Sequence, residues 1–513
     1  MNLVKLADSN IEKYGKYTQI CFDDKEYSNI DIIGNAKRLA SGLKNLGIKK
    51  GDKVVVMLPN CPEVFVSYQA ILRTGAVIVP MMHLLGPSEM NHILSNSEAV
   101  AIITAKDFLE KIEPVRANIK TLKHIIILGD DDVPGTTNFN RLIIEHAEQA
   151  MEVDIAEDDL ALILYTAGTT GTPKGVMLTH GNFCACAINS FAIDDKSHDD
   201  TTLFVLPLSH VFGFTQMNIG YLAGNKMVLL RRFELEETFR AIEKYKVTDF
   251  SAVPAMIAMM LNSPLSENYD LSSLKTVSCG SAPLPAEVLY GFQKKFNIEA
   301  IREGYGLSET GSIVSVLRPG SPQKPGSVGQ LIPSLEIRLV DDYGNEVAKG
   351  EIGEITLRGP SVFKGYYKMP EETAKALKDG WLYTGDMGRL DEDGYLYIVE
   401  RKKDLIIRGG FNIYPRDVEE VLYTHPAVLE CAVVGVPDAV MGEQVKAYVV
   451  LREGHTVTEE ELIKHTQEHL AKYKTPKYVE FVSGLPKNPM GKVLRKELRA
   501  MAAAQLEAAA AKE

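Results

Sequence analysis

Cysteine is scarce in this chain: six residues in 513, at positions 21, 61, 184, 186, 279 and 431. So few thiols exclude a disulfide framework, and Cys184-x-Cys186 has no second ligand pair nearby to complete a zinc site. They read as buried free thiols of a reducing compartment. Basic residues are short as well, 56 against 68 acidic ones, for a net charge of −12. That balance disfavours nonspecific binding to nucleic acid or anionic membranes. Arg73 interrupts the best apolar stretch, Val64 to Leu85, so no integral membrane segment is expected. Met1 to Lys5 lead into a polar stretch without the apolar core of a signal peptide, and a soluble, cytoplasmic protein is the expectation.

The chain is too long for one hydrophobic core, so two or more domains are expected. Short apolar runs at Lys53–Leu58, Ala76–Pro80, Val100–Thr104 and His124–Leu128 alternate with helical patterns such as Pro62–Arg73. A second set follows at Leu203–Leu206, Met227–Leu230, Phe250–Val253 and Thr276–Cys279. Both sets begin with a strand, a helix and a strand in the same order. This predicts two similar α/β subdomains, each a parallel sheet covered by helices, facing each other across a cleft. Leu335–Val340 and Gly353–Arg358 switch to period-two alternation, which predicts a small antiparallel sheet or barrel. Beyond Arg401-Lys402-Lys403 lie about a hundred residues of α+β character, with helices at Val418–Leu422 and Glu459–Lys472 and strands at Glu430–Val436 and Lys446–Leu451. Ala500–Glu513 reads as a solvated helical tail.

Chemistry concentrates first at Tyr165–Gly175, which follows the apolar run Leu160–Leu164 and holds four threonines, three glycines and one lysine. Glycines let backbone N–H groups approach an anion, and hydroxyls and an ammonium add donors, as a polyphosphate needs. Pro173 stands where the nucleoside-triphosphatase loop has its second glycine, so this is not that motif. Glu303–Thr310 offers an aromatic ring, a hydroxyl and a carboxylate suited to Mg²⁺. Tyr383-Thr384-Gly385-Asp386 places in a turn a carboxylate able to accept two ribose hydroxyls. Arg401–Pro415 and Pro486–Lys492 add two charged, glycine-bearing turns. Each alone is an ordinary charged turn.

In this order and spacing the motifs resemble the adenylate-forming superfamily of acyl-CoA synthetases, luciferases and peptide-synthetase adenylation domains, from roughly residue 10 to residue 498. The chain looks most like bacterial fatty-acyl-CoA synthetases and coumarate-type ligases. The resemblance implies an α/β fold: residues 1–400 as an N-terminal AMP-binding domain of two α/β subdomains plus a small β-barrel, 401–403 as a hinge, 404–499 as a mobile α+β lid, and 500–513 as the tail. It implies ATP, Mg²⁺ and coenzyme A as cofactors, and a small carboxylic acid and CoA as partners; a homodimer is left open.

By the same resemblance Lys492 bridges the carboxylate and the α-phosphate. Thr166, Gly168, Thr169, Thr170, Gly171, Thr172 and Lys174 hold the β- and γ-phosphates, with Mg²⁺ at Glu309. Ser308 meets the α-phosphate; Gly280, Ser281, Ala282 and Pro283 sandwich adenine with Tyr305, beside Glu303, Gly304 and Gly306; Asp386 and Arg401 take the ribose. His210 orients the acid or gates its tunnel, among the pocket residues Phe212, Phe214, Val253 and Pro254. Lys403 is the pivot, and Gly409 and Gly410 line the pantetheine path. Ala167 stands where most relatives carry Ser. The activity implied is ATP-dependent acid–CoA ligation through acyl-AMP, with a medium- or long-chain fatty acid as the first expectation. An aromatic or alicyclic acid, or transfer to a carrier protein, are the alternatives. An amino-acid substrate is disfavoured because Gly213 stands where an acidic residue would hold its amino group. A non-catalytic nucleotide sensor would not need the lid lysine.

Overall fold

A computed structural model describes residues 1–129, 131–148, 153–166, 173–438, 440–488 and 492–510. The predicted duplication is visible in its sheets. In the first, Val77–Pro80, Lys53–Met57, Ala101–Ala105, His124–Leu128 and Thr137–Asn138 lie side by side and parallel. In the second, Lys226–Leu229, Thr201–Phe204, Asp249–Ala252, Thr276–Cys279 and Ile301–Tyr305 repeat the arrangement. In both, the chain lays its first strand second in line and then reverses direction across the sheet. That reversal leaves a crevice at the carboxyl ends of the first and third strands, where α/β sheets bind ligands.

The N-terminal helix Leu3–Tyr14 ties the halves together. Its Asp8 accepts both Arg73 terminal nitrogens (3.1 and 2.6 Å), and Asn10 donates to Tyr221 O at 2.7 Å. One continuous core runs from Leu6 and Phe65 through Val211 and Phe214 to Leu357 and Leu396, so the two sheets and the third share a single apolar interior. The third sheet is antiparallel and partly curled, the form taken here by the expected small barrel. Its members are Glu336–Val340, Gly353–Arg358, Trp381–Leu390, Leu377–Lys378 and Leu396–Arg401.

The C-terminal α+β part has its own sheet of Phe411–Ile413, Ile406–Arg408, Gly442–Leu451, Val428–Asp438 and Tyr478–Phe481, and a separate core. Its helices are Pro415–Tyr423, Glu459–His469 and Arg495–Ala510. Two expectations need correction here. The second helix stops at His469, and a tight turn at Lys472–Lys474 follows. Of the segment expected as a solvated tail, residues 500–510 continue a helix that starts at Arg495 and buries Leu498 and Ala502 against Val434 and Tyr448. Among the described residues no helix is long and apolar enough to cross a membrane.

Phe214 is a third correction. It is 1% exposed and packs its ring against Phe183 at 4.7 Å and Tyr68 at 5.4 Å, so it is core and offers no surface to a ligand. Phe214→Ala should therefore destabilise the N-terminal domain by about 3–5 kcal/mol. Urea denaturation measures this, and a loss below about 1 kcal/mol would contradict the core assignment.

Candidate active site

The candidate residues converge because they follow neighbouring strand ends. His210 and Phe212 come after Thr201–Phe204, Val253 and Pro254 after Asp249–Ala252, Gly280–Pro283 after Thr276–Cys279, and Gly304–Ser308 end or follow Ile301–Tyr305. The acid-pocket candidates thus flank the crevice where the second sheet reverses direction. Phe212 is half-buried and packs on the same apolar cluster as Val253. His210 caps the helix Val211–Ala223, its Nδ1 accepting the Phe212 N–H at 3.3 Å, which puts the ring proton on Nε2. Burial pushes its pKa down to about 4. Near neutrality it is a neutral hydrogen-bond donor, not a cationic partner for a carboxylate.

Two glycines here are set by close approach. A Cβ on Gly306 would lie 1.5 Å from Ser312 O, and one on Gly213 2.3 Å from Pro207 O. Gly213 therefore has a packing reason to lack a side chain, whatever the substrate. Gly280 sits against Gly304, its Cβ position 3.4 Å from the Gly304 carbonyl. Ser281 holds a left-handed backbone, φ 73°, a strained state for a residue with a side chain and one that clusters at functional sites. Glu303, on the same edge, is 6% exposed; burial raises its carboxyl to about 7, against the pull of Arg416 from the C-terminal part.

Asp386 is the ionic centre. It is 2% exposed, accepts Tyr305 Oη–H at 2.6 Å on one oxygen and pairs with Arg401 Nε at 2.9 Å on the other. Asp386 and Arg401 face each other across an antiparallel pair of strands. Burial, and then the Asp386 charge, drive the Tyr305 phenol well above its ordinary pKa.

Lys492 reaches this centre from the C-terminal part. Its side chain is exposed to solvent, yet it lies within electrostatic reach of Arg401 and Asp386. Burial first, then the Arg401 guanidinium, lower its pKa to about 8, against the opposing pull of Asp386. Three residues along the chain, Arg495 bridges Glu400 at 3.3 Å and Glu419 at 2.7 and 2.8 Å, and Arg499 pairs with Asp404 at 2.7 Å.

The segment expected to hold phosphates leaves the first sheet, where Thr166 and Lys174 pair across Leu160–Thr166 and Lys174–Thr179. Gly168, Thr169, Thr170, Gly171 and Thr172, with Ala167, lie outside the described residues. Glu309 follows Ser308 in a short turn, and its Oε1 accepts Tyr366 Oη–H at 2.8 Å. Its other oxygen has no protein donor among the described residues. One carboxylate completed by phosphate oxygens suits Mg²⁺, and no cluster of three or more metal-binding side chains occurs among the described residues.

Lys403 lies in the turn Lys402–Asp404 that leads out of the third sheet. Gly409 and Gly410, with φ 57° and 83°, form the two-residue turn joining Ile406–Arg408 to Phe411–Ile413. Such a turn needs positive φ at both positions, so the fold already explains both glycines. A Cβ on Gly409 would also meet Met441 Cε at 2.7 Å. Tyr366, Glu372, Arg416 and Arg495 escaped sequence reasoning. No local pattern marks them, since their partners are distant in the chain.

Two doubly wound sheets, a curled third sheet and an α+β domain returning a lysine over their strand ends define the two-domain adenylate-forming fold. The chain belongs to the AMP-binding enzyme family: that family's model matches residues 7–367, and the AMP-binding enzyme C-terminal domain matches residues 417–492. It is similar to a long-chain-fatty-acid–CoA ligase of Bacillus subtilis (strain 168), 39% identical over 97% of this chain and 94% of that one. It superposes on the anthranilate CoA ligase AuaEII in complex with anthranoyl-AMP with a TM-score of 0.93, at 30% identity over 99% and 98% of the two chains. ATP-bound MatB from Rhodopseudomonas palustris gives 0.91 at 32% identity over 98% and 99%, whereas its apo form gives 0.79. The protein is an enzyme, an ATP-dependent acid-activating ligase of the acyl-AMP-forming kind.

The Lys492 environment is directly testable. Competitive acylation across pH, read by mass spectrometry, should place its half-point near pH 8, with Arg401→Gln moving it upward. A half-point with the surface lysines, about 10.4, would contradict the described geometry.

Proposed function

We propose that this enzyme joins a carboxylic acid with an uncharged tail to coenzyme A, with Lys492 stabilising the attack of the carboxylate on the α-phosphate of ATP. One anion attacks another in that step, and fixed positive charge is what lowers the barrier. The observation that carries the reading is Lys492 beside Arg401 and Asp386, in an overall arrangement closer to ATP-bound than to apo MatB. In this account Asp386 accepts the ribose hydroxyls, with Arg401 orienting it. Tyr305 and the Gly280–Pro283 turn enclose adenine, and the 166–174 hairpin takes the terminal phosphates with Mg²⁺ at Glu309. Residues 401–403 form the hinge between residues 1–400 and a lid of 404–499, and the lid reorients for thiol attack.

Phe212, Val253, Pro254 and a neutral His210 would surround an uncharged tail. We place a compact aromatic or alicyclic acid ahead of the fatty acid expected from sequence. The support is the superposition on a ligase holding an aromatic acyl-adenylate. The long-chain alternative is favoured by the 39% identity to the Bacillus enzyme. CoA as acceptor is supported by the names of both relatives.

The test is an assay of the purified protein with ATP, Mg²⁺ and a panel of aromatic, alicyclic and fatty acids, with and without CoA. AMP, pyrophosphate and a thioester are the expected products, with the highest kcat/KM on a ring-bearing acid. ADP and phosphate would refute the mechanism, and preference for long chains would reverse the order of substrates.

A further inference from the structure

Lys174, the lysine assigned to the terminal phosphates, already has an anionic partner. Its ammonium pairs with the Glu372 carboxylate and lies 5.0 Å from the centre of the Tyr366 ring. The Tyr366 hydroxyl continues to Glu309 at 2.8 Å. Glu372 belongs to the helix Pro370–Ala376, and Thr373 of that helix accepts the Tyr366 N–H at 2.9 Å, so ring and carboxylate are held as one unit. Lys174, with Lys375 beside it, draws the Glu372 carboxyl down to about 2, so it is ionised throughout the working range.

A carboxylate at this place opposes binding of a polyanion, because one ammonium cannot serve both fully. Nothing in the packing requires it: the Glu372 side chain is 31% exposed, and a neutral amide would fill the same space. Displacing it is inexpensive, however. Lys375 Nζ stays on Glu372 Oε1 at 2.7 Å, so Glu372 is not left as a bare charge when Lys174 departs.

We propose that Glu372 is an internal stand-in for the terminal phosphates: it holds Lys174 before ATP arrives, yields it to the β- and γ-phosphates, and competes for it again when pyrophosphate leaves. The inference rests on the phosphate-hairpin reading of residues 166–174. It assigns Glu372 a positioning role, acting through Lys174, and it makes product release faster at the expense of ATP affinity.

The test compares wild type and Glu372→Gln by calorimetry with Mg-ATP, Mg-pyrophosphate and AMP. ATP and pyrophosphate should each bind about five- to tenfold tighter to the variant. AMP, which lacks terminal phosphates, should be unchanged. Pyrophosphate should become a correspondingly stronger product inhibitor, and Glu372→Asp, which keeps the charge on a shorter arm, should fall between. Unchanged or weaker binding of ATP and pyrophosphate in Glu372→Gln overturns the exchange, as does an equal shift for AMP. If wild type binds neither ATP nor pyrophosphate, the nucleotide reading itself is wrong, an outcome distinct from equal binding by both proteins.

Discussion

A carboxylate as buried as Asp386 cannot stand without partners, and satisfying it organises the site. Its two partners come from different parts of the fold: Tyr305 from the end of a second-sheet strand and Arg401 from the opposing strand of the third sheet. Removing either would leave an under-compensated buried charge, worth about 3–5 kcal/mol in comparable cases. Arg401 also passes the constraint onward. Its backbone N–H donates to Glu400 Oε1 at 2.9 Å, and the same oxygen meets Arg495 of the C-terminal part. One chain of contacts thus runs from Tyr305 at a strand end of the second sheet to Arg495 of the C-terminal part.

The site gathers cations yet carries its own counter-ions. Arg401 is answered by Asp386 and Lys174 by Glu372, while Lys492 has a lowered pKa and, among the described residues, no carboxylate within ion-pairing distance. A cation crowded by Arg401, Arg495 and Lys403 gains most when an anion arrives. The electrostatic stress is therefore concentrated on the group placed where charge would develop.

Much of the architecture was legible because buried parallel strands write continuous apolar runs and helices between them write amphipathic ones. Both α/β units, their shared order and the antiparallel sheet followed from that. Gly280, Tyr305, Asp386 and Lys492 were singled out through the family resemblance rather than through periodicity, because the order and spacing of their motifs match it. Other features had no such signature. Phe214 reads as a pocket residue because it lies two positions from Phe212, but on a helix that spacing turns it toward the opposite side, into the core. Gly409 and Gly410 read as clearance for a substrate, while a hairpin turn alone demands them. Glu372 meets Lys174 across 198 residues, and only the folded chain joins them.

The central claim is that Lys492 acts on the phosphate-attack step alone. Single-turnover kinetics of each half-reaction in Lys492→Ala test it most directly. Adenylation should fall by orders of magnitude, while thioester formation from supplied acyl-AMP largely survives, because that step attacks no phosphate. Equal loss in both half-reactions would contradict the account.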